Sequence, residues 1–142
     1  MREIEEEYAG NAEKQSGKWL ETHLGHSYEG MMHQFVEMQK AGIKFAVGTD
    51  SNVKDLKDIQ SLYRDELKLL STAGLSNMEL IQASTLIAAE AIGLDENLGS
   101  ITPGKWADLI ILGSDPGEDI NSLVDPELVI QNGEVVYSSE LE

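Results

Sequence analysis

Four side chains in this sequence could do chemistry at neutral pH: His23, His26, His33 and Asp50. Asp50 stands in Gly48-Thr49-Asp50-Ser51, where a short β-prone run stops. A carboxylate at a strand end can ligate a divalent metal, or take a proton from a water that the metal has acidified. It can equally cap a turn, and its local sequence does not choose between the two. His23 and His26 are three apart and His33 is seven further on, so a helix would set all three on one side. A zinc centre built from His23, His26 and Asp50 is conceivable on that spacing. The plain alternative is a set of ordinary surface histidines. There is no His-x-His pair and no cysteine, which excludes a thiolate nucleophile, a disulfide framework and a Cys-ligated metal.

The elements that must position these residues follow from periodicity. Apolar residues Met31, Met32, Phe35, Val36 and Met38 recur at helical spacing over residues 26–41, and Gly42 stands where a helix C-cap belongs. Met at such spacing reads as core rather than as a soft binding surface. The run 43–47, Ile-Lys-Phe-Ala-Val, then reads as a strand. A second helix over 55–73 carries the stripe Leu56, Ile59, Tyr63, Leu67 and Leu70 and stops at Gly74. Ser76 and Glu79 fit a capping box opening a third helix over 77–92, with Gly93 as its stop. Beyond it, the turn Pro103-Gly104 leads to a nearly continuous apolar run, 107–112, expected to be a strand buried on both faces. Trp106 is expected to be a packing anchor. Asn132-Gly133 between two β-prone runs, 128–131 and 134–137, predicts a type I′ hairpin.

Composition sets the outer bounds. The chain has 142 residues, 41% of them hydrophobic, which suits one ordinary folded domain. Its 26 acidic and 10 basic residues give a formal net charge of -16, which disfavours nucleic acid and anionic membranes as partners. The absence of cysteine and the charged character of residues 1–8 fit a cytoplasmic protein without a signal peptide.

Three stretches in this order resemble the amidohydrolase superfamily. Ala41-Gly42-Ile43-Lys44-Phe45-Ala46-Val47-Gly48-Thr49-Asp50-Ser51 is similar to its eighth barrel strand. Ala73-Gly74-Leu75-Ser76, Ala83-Ser84-Thr85 and Ala91-Ile92-Gly93-Leu94 are similar to the helices that follow. Leu98-Gly99-Ser100-Ile101-Thr102-Pro103-Gly104-Lys105-Trp106-Ala107-Asp108-Leu109-Ile110 resembles the return of the chain to a small β-domain, and Asn132-Gly133-Glu134-Val135-Val136 its last hairpin. Imidazolonepropionase-like and dipeptidase-like branches are the most similar. Leu86-Ile87-Ala88 departs from the Asn-Pro often found there, and Trp106 is larger than the small apolar residue usual at its position.

The resemblance implies an α/β fold: the last strand and helices of a TIM barrel, plus the C-terminal part of the adjoining small β-domain, ending in a β-hairpin. It divides the chain into an acidic arm (1–25), a terminal barrel segment (26–97) and a β-domain segment (98–142). It implies metal-dependent hydrolysis of C–N bonds other than peptide bonds, or of dipeptides, with Asp50 as both metal ligand and catalytic proton shuttle. A catalytic zinc needs about three protein ligands and a complete barrel about 250 residues. The chain is therefore expected to be inactive alone and to bind no metal by itself, although the whole enzyme would use a divalent metal, zinc by analogy, and a small-molecule amide substrate. Incomplete strand pairing predicts a homo-oligomer, a domain-swapped assembly or a missing N-terminal barrel portion. The competing expectations are a non-enzymatic oligomerisation or binding module, and one subunit of a split barrel.

Overall fold

The computed structural model describes residues 28–50 and 56–141. They belong to two compact units, Met1–Ile43 and Lys44–Glu142. In the first unit, helix α1 (Tyr28–Lys40) ends as its sequence predicts. Gly42 adopts φ 76°, its N–H donates to the Gln39 carbonyl, and the Ile43 N–H donates back to Met38. This is a Schellman stop, in which a left-handed residue lets two amides satisfy carbonyls that the last turn leaves open.

The second unit contains helices α2 (Leu56–Thr72), α3 (Asn77–Ser84) and α4 (Leu86–Ala91), followed by strands β1 (Leu109–Leu112), β2 (Pro126–Gln131) and β3 (Glu134–Ser138). Gly74 and Gly93 close α2 and α4 with the same pair of amide-to-carbonyl bonds as Gly42. The core lies among the helices: Leu67 and Leu70 of α2, Leu80 and Ala83 of α3, and Ala89 of α4 are buried, with Leu80 at 0% exposure. Removing a leucine of this size from water stabilises by about 1.5–3 kcal/mol.

At the start of α3 the Glu79 N–H donates to Ser76 Oγ at 3.3 Å, and the Ser76 N–H donates to Glu79 Oε2 at 2.8 Å. The Ser76 hydroxyl and then its backbone amide hold the Glu79 carboxyl below the ordinary carboxylate range. The predicted single helix over 77–92 is two helices, broken at Thr85, whose φ of -126° and ψ of -89° are not helical. The cause is local: the Ser84 hydroxyl donates to the Leu80 carbonyl at 2.8 Å and the Thr85 hydroxyl to Ile81 at 2.7 Å. Hydroxyls bonded back onto carbonyls four residues earlier compete with the helical ladder.

The strand predicted over 43–47 is not one: among the described residues it pairs with no strand. It nevertheless keeps a strand's two-residue period, with Phe45, Val47 and Thr49 partly buried and Lys44, Ala46, Gly48 and Asp50 exposed. The three strands form one antiparallel sheet in the order β1-β2-β3. The Asn132-Gly133 turn has φ 52° and 83° at its two residues, as a type I′ hairpin requires. It is tied to the entry of β1 by Asn132 N–H to Asp108 Oδ1 at 2.7 Å and Gly133 N–H to the Ala107 carbonyl at 3.0 Å. Two expectations fail here. β1 is not buried on both faces, because Ile110 and Ile111 are exposed on a strand that pairs only with β2 among the described residues. Trp106 is also exposed rather than packed.

Gly99 shows how closely the chain after α4 returns over the helices. At φ 88°, a Cβ there would stand 2.7 Å from Ala89 Cβ and 3.0 Å from Leu86 Cα. We expect Gly99→Ala to destabilise the chain by about 2 kcal/mol in urea denaturation, since it adds a core overlap to a left-handed backbone. Ser76→Ala should cost about 1 kcal/mol by the same measurement. Because the folded pKa of Glu79 is depressed, its contribution is complete above the ordinary value of 4.5 and is lost as pH falls through the lowered one. The Ser76→Ala penalty should shrink over that same acidic window.

Candidate functional site

Asp50 lies at the end of the 44–50 segment, exposed, with φ 45°. Left-handed backbone is uncommon outside glycine, but aspartate tolerates it better than most residues. Two helices hold the segment that carries it. From α3, the Ala83 carbonyl accepts the Val47 N–H at 3.1 Å. From α4, Glu90 Oε2 receives Lys44 Nζ at 2.6 Å. That ion pair is solvent-exposed, so it adds little. The Val47 amide bond lies three residues before Asp50.

Glu66 is the residue that sequence reasoning missed. Burial pushes its carboxyl above the ordinary value, and the Gly48 amide partly offsets this. The sequence shows its position, between Tyr63, Leu67 and Leu70 on the apolar stripe of α2, but not its burial.

His33 is exposed on α1, in the first unit, and His23 and His26 lie outside the described residues. Among the described residues no three His, Cys, Asp or Glu side chains converge to hold a metal. The described part of the chain therefore offers Asp50 as a donor but does not build a metal site. An open hollow of about 640 Å³, lined by Arg64, Ser114, Asp119, Ser122 and Glu127 among others, does not include Asp50, and its mixed charges select no ligand of one sign. No helix among the described residues is long and apolar enough to cross a membrane.

With this geometry in hand, comparison with known proteins decides the family. The sequence profile of the amidohydrolase family matches residues 30–136. The chain belongs to the amidohydrolase family. A crystal structure of a Xaa-Pro dipeptidase with methionine in its active site superposes with a TM-score of 0.67 at 31% identity, covering 78% of this chain and 26% of that one. Adenine deaminase 1 of Desulfotalea psychrophila is 31% identical over 90 residues, covering 63% of this chain and 14% of the relative. The 5′-deoxyadenosine deaminase of Methanobrevibacter smithii is 30% identical over 99 residues, covering 66% of this chain and 22% of the relative. The chain thus spans between 14% and 26% of the length of these amidohydrolases.

The left-handed φ of Asp50 makes a testable separation between its backbone and its carboxylate. Asp50→Gly should be at least as stable as the natural chain, whereas Asp50→Ala should lie about 1 kcal/mol below Asp50→Gly. Thermal or urea denaturation of the three chains checks this order.

Proposed function

We propose that this chain is the terminal catalytic segment of an amidohydrolase that cleaves C–N bonds other than peptide bonds, or dipeptides. In this reading the 44–50 segment is the eighth barrel strand, and β1 to β3 belong to the small β-domain beside the barrel. The observation that carries it is the placement of Asp50: it ends a segment with strand periodicity and is exposed there, while the Val47 amide before it is held by α3. In barrel enzymes of this kind the reacting groups stand at the C-terminal strand ends.

The Asp50 carboxylate is assigned the proton-handling role. It accepts the proton that the attacking water loses as the C–O bond forms, and it returns that proton to the nitrogen that leaves as the C–N bond breaks. A bound divalent metal, zinc by analogy, would supply electrophilic activation and polarise the attacking water. Asp50 alone does not hold it, so the remaining donors would come from other polypeptide of the whole enzyme. The relatives named above include a dipeptidase and two deaminases, which makes dipeptides and aminopurines the candidate substrate classes. A cytoplasmic setting fits such a substrate.

A second reading has one observation of its own. Ile110, Ile111, Val135 and Val136 leave apolar surface exposed on the sheet. Surface of that kind supports association with a second copy or with a separate chain that completes a split barrel.

In the whole polypeptide that carries this chain, Asp50→Asn should lower the rate of hydrolysis of a Xaa-Pro dipeptide or an aminopurine by about 10²-fold or more. The isolated 142-residue chain should hydrolyse neither. Full activity in Asp50→Asn would remove Asp50 from the reaction. Chelator-sensitive hydrolysis by the isolated chain would overturn its reading as a segment of a larger enzyme.

A further inference from the structure

We infer that Asn132 is a deamidation site held closed by Asp108, the carboxylate that ties the hairpin turn to the entry of β1. The inference is independent of the reading of Asp50. A type I′ turn needs positive φ at both central residues, and Asn132 and Gly133 supply it at 52° and 83°. The same pair, the one Asn-Gly in the sequence, is the most reactive context an asparagine can have. Glycine has no Cβ, so its backbone nitrogen approaches the preceding side chain with the least hindrance. Both residues are exposed, so water reaches them. The reaction is internal and consumes only water. The Gly133 nitrogen loses its proton and attacks Cγ of Asn132. The N–Cγ bond forms, the Cγ–Nδ2 bond breaks, and the side-chain nitrogen takes up a proton and leaves as ammonia. The resulting succinimide adds one water and opens at either carbonyl, to aspartate or to isoaspartate. Isoaspartate runs its backbone through Cβ and Cγ, so it adds a carbon to the turn and disturbs the pairing of β2 with β3.

Two hydrogen bonds oppose the first step. The Gly133 N–H, whose proton must leave, donates to the Ala107 carbonyl at 3.0 Å. The Asn132 N–H donates to Asp108 Oδ1 at 2.7 Å. That second bond fixes the asparagine backbone, which must rotate before the Gly133 nitrogen can meet Cγ. The acceptors are themselves anchored: the Trp106 N–H, directly before them, donates to the Asn97 carbonyl at 2.8 Å. A bond to a carboxylate is roughly twice as strong as a neutral one, so Asp108 is the contact whose loss frees the turn most.

The test incubates the 142-residue chain in mildly alkaline buffer, native and in urea, and follows each asparagine by digestion and mass spectrometry. In urea, Asn132 should convert ahead of Asn97 and Asn121; if it does not, it is no deamidation site. In the native chain, Asn132 should convert more slowly than in urea by about tenfold or more. Equal rates in the two conditions would overturn the closed state. Asp108→Ala should raise the native rate at Asn132 by about tenfold, while Asn121 keeps its own rate. An unchanged rate at Asn132 would overturn the role of Asp108. Where Asp108→Ala loosens the whole chain, Asn121 accelerates as well, and the decision passes to Asp108→Asn, which keeps the acceptor oxygen. Conversion of Asn132 that stays slow in Asp108→Asn supports the tie, and conversion at the unfolded rate contradicts it.

Discussion

The 44–50 segment is held by helices, not by a neighbouring strand, among the described residues, and the placement of Asp50 depends on that fact. Each tie is individually modest. A backbone hydrogen bond adds about 0.5–1.5 kcal/mol net, and the exposed Lys44–Glu90 pair less. What makes them effective is the rigidity of the surface they start from. Ala83, whose carbonyl takes the Val47 amide, is 1% exposed, and Leu80 one turn earlier is fully buried. The Ser76–Glu79 box fixes where α3 begins, and so where the Ala83 carbonyl stands. Loosening the helix core would therefore reach Asp50 without touching it.

The same organisation separates stability from chemistry. The buried side chains are apolar and come from the helices and the segments joining them to the loops and sheet. Asp50 is exposed and carries an uncommon backbone conformation. Residues kept in such conformations persist where their surroundings determine them, and they concentrate at functional sites. Here the surroundings include the Val47 amide bond to Ala83 just before it. The chain provides a rigid frame and a carboxylate; a complete metal site among the described residues it does not provide.

Local chemistry made much of this readable from the residues alone. Gly42, Gly74 and Gly93 end their helices, Ser76 and Glu79 cap one, and Asn132-Gly133 turns a hairpin, because each signal acts within a few residues. The unread parts depended on partners far away in sequence. The 43–47 run has strand character, but a strand exists only where another pairs with it. The exposure of Ile110, Ile111 and Trp106 depends on which surfaces cover the sheet, which hydropathy does not encode. The break at Thr85 was local yet missed, because hydroxyl back-bonding competes with a helical apolar pattern that otherwise runs on. The partial burial of Glu66 is not legible from the α2 stripe, since an acidic residue beside apolar ones most often reaches solvent. The role proposed for Asp50 rests on the resemblance of the ordered motifs, since Gly-Thr-Asp has no single local meaning.

A crystal structure of the metal-loaded whole protein would test the assignment of Asp50 most directly. The expected result is an Asp50 carboxylate oxygen about 2.0–2.2 Å from the metal. A metal coordinated without Asp50 would contradict it.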